Sequence, residues 1–250
     1  MAIKTYILRA SILLASLSGC TSKNGNHQVL PSNTKFDLLI NDYLEQRRIE
    51  PQAVFNVAED KIIYNNLNIQ WKPLDRGVII TINNFSINTN GLVTLNDVLG
   101  EGHKDSVNFA NTLSQIKYYE TNDDKLLGFV LTYTPCTGLG CGVNYQLIYD
   151  LKTQKVNSFG RFRTGFDLDL YDFDDNDKVD YLSKTFFGRN EQLRDTTVFT
   201  YYQQEADGRF VLSKSAKGET YYFKHRYSLE SDTMPEGFEE KWVTSIKESR

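Results

Sequence analysis

The sequence predicts an α+β fold, β-rich, in which antiparallel sheets built from hairpins follow an N-terminal amphipathic helix. Three observations lead there. Tyr and Phe number 15 each while Pro numbers only 5, a balance that suits pleated, half-buried strands. From residue 53 onward, short runs of β-type residues alternate with Asn-, Asp- and Gly-rich turns, as hairpins require. Apolar residues at helical spacing stand out at Phe36, Leu39, Ile40, Tyr43 and Leu44, before this β-rich stretch begins.

The first residues have a different character. In MAIKTYILRASILLASLSGC, Lys4 and Arg9 form a basic n-region, and the apolar run from Ala10 to Leu17 gives way to small residues. That is the layout of a secretory signal. A bilayer core of roughly 30 Å needs about 20 apolar residues at 1.5 Å each, so this run is too short to span one. The closing Leu17-Ser18-Gly19-Cys20 resembles the lipobox of bacterial lipoproteins. The resemblance implies a signal peptide over residues 1–19, cleavage before Cys20, and acylation (palmitate among the chains) of the Cys20 thiol and new amino group. Several acyl chains, at about 0.8 kcal/mol per buried methylene, make a lasting anchor. Thr21 is not the aspartate linked to inner-membrane retention, so the same pattern implies an outer membrane, with the domain facing the periplasm. The bland alternative is an ordinary signal peptide with a chance cysteine.

Residues 20–33 (CTSKNGNHQVLPSN) are polar, with Gly and Pro, and read as a flexible tether. Residues 34–250 are then the globular domain, long enough for one large core or two smaller ones. Its best internal boundary lies near 96–105 (NDVLGEGHKD).

Loss of residues 1–19 leaves 26 basic against 32 acidic groups, a formal charge of −6. Mild acidity argues against nucleic acid, which rewards basic patches. It also argues against a polybasic grip on anionic lipid. The membrane contact expected is therefore the lipid on Cys20 alone.

Along the domain, the helix runs from a cap near Thr34 to Pro51, with Asp37, Asp42, Glu45, Arg47 and Arg48 on its wet face. Short strands follow in AVFNV, KIIYNNLNIQW and GVIITINNFSI. KDSVNFANTLS (104–114) reads as a short helix through Val107, Phe109 and Leu113. Three hairpins come next. One turns at Asn122-Asp123-Asp124, one at Leu151 to Gln154, and one at Ala206-Asp207-Gly208. Near the C-terminus Phe238, Trp242 and Ile246 suit a helix, but EKWVTSI suits a strand equally. No period of about 20–50 residues repeats, which argues against a full propeller or solenoid.

With Cys20 assigned to lipid, Cys136 and Cys141 remain, in PCTGLGC. In an exported, oxidising compartment they read as a disulfide, closing a short loop for roughly 2 kcal/mol in the chain-entropy model. A redox pair or half a metal site are the alternatives. A redox pair is usually spaced by two residues at a helix start, and no further Cys or His lies nearby.

The acidic stretch YDFDDNDKVDYL (171–182) carries the sharpest chemistry. Between Asp167 and Asp180 there are seven aspartates and one lysine, a formal −6 over fourteen residues. With Asp172 as position one, Asp174, Asn176, the Lys178 carbonyl and Asp180 fall at positions three, five, seven and nine. Calcium takes six to eight oxygens at about 2.3–2.6 Å, and alternating oxygen-bearing residues in a tight loop supply them. Phe173 and Val179 point the other way and suit packing. Position twelve is Ser183 rather than the bidentate Glu of an EF-hand, and position six is Asp177 rather than Gly. Asp tolerates the left-handed conformation better than most residues. The run is similar to the calcium loops of FG-GAP-type repeats, over one copy of about a dozen residues, with Val179-Asp180-Tyr181-Leu182 leading into a strand. The resemblance implies a structural Ca2+. The competing reading is a solvated Asp/Asn turn, since these residues favour turns unaided.

Enzyme signatures are missing. His27, His103 and His225 stand apart, and there is no HExxH, GxSxG or phosphate-binding Gly-Lys-Ser/Thr run. The aromatic runs Tyr118-Tyr119, Tyr201-Tyr202 and Tyr221-Tyr222-Phe223 offer a binding surface, although alternation along a strand makes half of each run core. The expected function is a non-enzymatic binding or scaffolding module for an unidentified protein or glycan. The alternatives are an inhibitor or immunity-type protein against a basic toxin or hydrolase and, third, a carboxylate-dependent hydrolase.

Overall fold

The structure, a computed structural model, describes residues 41–95, 107, 110–134, 142–163, 167–187, 196–214, 218 and 222–226. In space the chain divides into Met1–Leu30 and Pro31–Arg250, and every described residue belongs to the second unit. Cys20, where lipidation is expected, the pair Cys136 and Cys141, the expected boundary near 96–105 and the C-terminal segment 227–250 lie outside the described residues.

Residues 41–45 are helical. Beyond them the described residues form β1 (Arg48–Ile49), β2 (Ala53–Asn56), β3 (Lys61–Tyr64), β4 (Leu67–Pro73), β5 (Val78–Ile82) and β6 (Phe85–Asn88). The longer strands follow: β7 (Thr112–Glu120), β8 (Lys125–Tyr133), β9 (Val143–Asp150) and β10 (Val156–Arg163). The last are β11 (Leu170–Tyr171), β12 (Asp180–Phe187), β13 (Thr196–Gln204), β14 (Phe210–Leu212) and β15 (Tyr222–Arg226). All pairings are antiparallel. They make a six-stranded sheet (β1-β11-β12-β13-β14, with β15 also on β13), a five-stranded sheet (β10-β9-β8-β7-β2) and a four-stranded sheet (β3-β4-β5-β6). Among the described residues no helix is long and apolar enough to cross a membrane.

The five-stranded sheet is the middle layer. Alternate residues of a strand face opposite sides, and here both sides are buried. Leu127, Phe129 and Leu131 of β8 join Ile69, Ile80 and Ile82 of the four-stranded sheet in one core. Their neighbours Leu126 and Val130 join Val179, Tyr181 and Tyr202 of the six-stranded sheet in a second. This is why β8 and β9 read as near-continuous apolar runs (KLLGFVLTY, VNYQLIYD) instead of alternating.

The two interfaces differ in chemistry. Towards the six-stranded sheet, polar side chains stand among the apolar ones. The Tyr181 hydroxyl donates to Gln146 Oε1 at 2.8 Å, and Gln204 Nε2 donates to Asp150 Oδ2 at 2.9 Å. Lys117 Nζ donates to the Leu168 carbonyl at 2.7 Å and lies 3.3 Å from Asp169. Two hairpin tips also interlock. Asp150 Oδ1 accepts from the amides of Lys152 and Thr153, capping its own turn. Gly208, at φ +81°, lies so close that a Cβ there would collide with Thr153 Oγ1 and sit 2.8 Å from Asp150 Oδ2. Asn157 then clasps the same tip, donating to the Gly208 carbonyl and accepting from the Phe210 amide.

The hairpins β7–β8, β9–β10 and β13–β14 turn where the sequence predicts. Three expectations need correction. KIIYNNLNIQW and GVIITINNFSI are each a hairpin rather than one strand, because Asn-Asn supplies the turn; Asn65 (φ 47°), Asn66 (φ 63°) and Asn83 (φ 52°) are left-handed, as tight hairpin turns demand. Within the 104–114 stretch, Thr112–Ser114 belong to β7 rather than a helix, with Leu113 buried opposite Leu131. The N-terminal helix is described only over 41–45; the chain is already extended at β1, before Pro51, because β1 pairs with β11.

Candidate metal centre

The acidic stretch joins β11 to β12, which pair through Tyr171 and Asp180. Residues 172–179 are thus the connection of a hairpin. Asp175 (φ 53°) and Asp177 (φ 61°) adopt the left-handed conformation, so Asp does serve at the position where Gly is usual. Asx-type bonds shape the turn. The amides of Asn176 and Asp177 donate to the two Asp172 oxygens at 3.1 and 3.3 Å. The Lys178 amide donates to Asn176 Oδ1 at 2.8 Å, and Asn176 Nδ2 donates to Asp174 Oδ2 at 2.9 Å. Phe173 and Val179 point inward and are buried, as their even positions predict.

This folding gathers Asp172, Asp174 and Asp180, each offering a carboxylate oxygen within 4.8 Å of the others. Oxygens bound at about 2.3–2.6 Å to one calcium stand up to about 5 Å apart, so the spacing fits one ion. Asp180 is the unusual member. It is fully buried; Oδ2 accepts from the Phe173 amide at 2.8 Å, while Oδ1 makes no hydrogen bond of good geometry, the Tyr201 hydroxyl, likewise without one, lying near enough only to favour the charged form. A buried carboxylate cannot stay charged without compensation. Burial, above all, pushes its pKa from 3.8 to about 8, and the charges of Asp174 and Asp172 act the same way; the Phe173 amide and the Tyr201 hydroxyl oppose. The Asp180 side chain therefore needs a proton or a cation near neutral pH. Of the other expected ligands, Asn176 and Lys178 are exposed; the Asn176 side chain serves the loop, and Lys178 puts the stretch's lone positive charge at its rim.

Residues remote in sequence complete the surroundings. Tyr201, opposite Leu182 in β13, lies buried against Asp180, and burial with that neighbouring charge raises its hydroxyl pKa above the ordinary value. Arg47 reaches the loop from before β1, donating to both Asp175 oxygens at 3.1 and 3.2 Å. Asn122, in the β7–β8 turn, donates to Asp177 Oδ1 at 3.3 Å. No spacing in the sequence announces these three.

The aromatic doublets do not form a binding surface. Tyr118, Tyr119, Tyr201 and Tyr202 are all buried, because both sides of their strands are covered; the side chains of Tyr221-Tyr222-Phe223 lie outside what the structure describes. A cleft of about 550 Å3 adjoins the loop, lined by Asn176, Lys178, Asp180, Gln203, Glu205 and Asp207. Two of its acids, Glu205 and Asp207, pair with Arg209 at 3.7 and 2.6 Å. No protein-family model, no curated protein and no solved structure matches the chain.

Proposed function

We propose that this chain is a lipid-anchored envelope protein, a non-enzymatic binding or scaffolding module whose acidic loop holds a structural calcium ion. The observation that carries the ion is the convergence of Asp172, Asp174 and Asp180 together with the unsatisfied, buried Asp180 Oδ1. These three carboxylates would bind the cation, with Asn176 and the Lys178 carbonyl as further oxygens. The ion would supply charge neutralisation and loop order, not chemistry on a substrate. Exported calcium modules work with dissociation constants of about 0.1–1 mM, which suits a permanent staple outside the cytoplasm. The lipid on Cys20 would hold the domain to the outer membrane, within reach of a protein or glycan of the envelope.

The test is a thermal melt of the mature protein with EGTA or with about 2 mM calcium. At about ten times Kd the gain is RT ln 11, or about 1.4 kcal/mol, a rise of a few degrees for a domain of this size. Asp174→Ala should abolish the rise. An unchanged melting temperature would sink the calcium reading. Separately, Cys20→Ser should move the protein from the membrane to the soluble fraction, and persistent attachment would refute the anchor.

A further inference from the structure

Resting on the calcium reading, we infer that the acidic loop is also the dock for residues 41–49, so that the ion controls whether this segment stays folded onto the domain. The segment is residues 41–49, the helical residues 41–45 and β1 with the turn between them. Its ties converge on the loop. The Asp172 amide donates to the Arg47 carbonyl at 2.9 Å. Arg47 Nη1 holds Asp175 at 3.1 Å and reaches the Phe173 carbonyl at 3.5 Å. The ring of Tyr43 stacks on Phe173 with centroids 6.1 Å apart and planes 5° from parallel. Beyond these, Leu44 is buried, Ile49 packs against the core beside the six-stranded sheet, and β1 adds the pairs Arg48–Tyr171 and Ile49–Leu170.

The geometry points to coupling because ligand and dock alternate residue by residue. Asp172 and Asp174 flank Phe173, and the Phe173 amide itself donates to Asp180 Oδ2. The Phe173 ring that receives Tyr43 also stacks on Tyr171 at 4.9 Å and meets Tyr201 edge-on at 5.3 Å. An ion that fixes the three carboxylates therefore fixes the Phe173 ring, the Asp172 amide and the approach to Asp175. The ion does not compete with the dock, since Asp175 lies outside the trio. Each tie is weak by itself: Arg47–Asp175 is a surface pair, with the aspartate side chain 69% exposed. Ion removal leaves Asp180 to take up a proton and Asp172 and Asp174 to repel each other without a shared cation, which loosens these ties to the loop together.

The experiment uses the full lipidated chain in detergent micelles, with EGTA, magnesium or about 1 mM calcium. Calorimetric titration with calcium reads the site; amide hydrogen exchange of the peptide spanning 41–49 reads the dock. Calcium should slow exchange there by about tenfold or more at short labelling times, before the core amides of β8, which open only with the whole fold, exchange at all. Arg47→Ala should still take up calcium, within about threefold of the parent affinity, yet show a smaller slowing at 41–49 than the parent. Calcium uptake without any change at 41–49 overturns the dock while leaving the calcium site standing. Retention of full protection in Arg47→Ala overturns it too. Absence of calcium uptake removes both.

Discussion

The two faces of the central sheet are packed by different physics. Towards the four-stranded sheet, Ile69, Ile80, Ile82, Leu127, Phe129 and Leu147 meet in an aliphatic and aromatic core. Such contact is strong but non-directional. Towards the six-stranded sheet, hydrogen bonds from Tyr181, Gln204, Lys117 and Asn157 cross the interface within the apolar packing. Those bonds fix one orientation and penalise others, since a displaced partner leaves a buried group unsatisfied. The sheet held by directional bonds is the one that carries the acidic loop. The first face supplies bulk stability; the second sets where the candidate metal centre stands.

That contrast is open to attack, from the largest expected effect downward. Phe129→Ala empties part of the aliphatic face and should cost about 3–5 kcal/mol, read as a fall in the denaturant midpoint. A loss under about 1 kcal/mol would mean that this face is loosely packed. On the other face, Gln146→Leu strands the Tyr181 hydroxyl and should cost about 1–3 kcal/mol, whereas adding Tyr181→Phe should restore much of the loss. Strict additivity in this double-mutant cycle would deny the directional role.

The smallest effect concerns pH. Asp180 has a folded pKa of about 8 against 3.8 unfolded. Between those values the folded state binds the extra proton, so stability falls as pH rises. The calcium-free protein should lose about 1 kcal/mol from pH 6 to 7, and Asp180→Asn should flatten that slope. Calcium, which favours the ionised carboxylate, should stabilise more at pH 8 than at pH 5. The slope should persist in Phe129→Ala, which touches only the apolar face.

Some of this was legible in the sequence. Asn122-Asp123-Asp124 and Ala206-Asp207-Gly208 announce turns because those residues tolerate tight backbone geometry whatever surrounds them. The ligand spacing of Asp172, Asp174 and Asp180 was legible for the same reason: it is local. Layering was not. Val107, Phe109 and Leu113 mimic a helical period, yet Leu113 is placed by its long-range pairing with Leu131. The tyrosine doublets read as half exposed because one strand cannot reveal what covers its other face, a second sheet at Tyr118-Tyr119 and the Phe173 loop at Tyr201. Arg47, which reads as part of a wet helix face, and Tyr201, which reads as half of an aromatic run, meet the loop only through strand order and register, which composition does not encode.

The interlocked tips at Asp150 and Gly208 bear on the order of assembly. Asp150 can hold the amides of Lys152 and Thr153 as soon as the β9–β10 hairpin closes, with no help from the rest of the chain. The second tip fits only once Gly208 has taken its left-handed turn. Docking of two finished hairpins is therefore the expected late step. A side chain at position 208 should slow that late step more than the closure of either hairpin, and lengthen the life of a half-built intermediate.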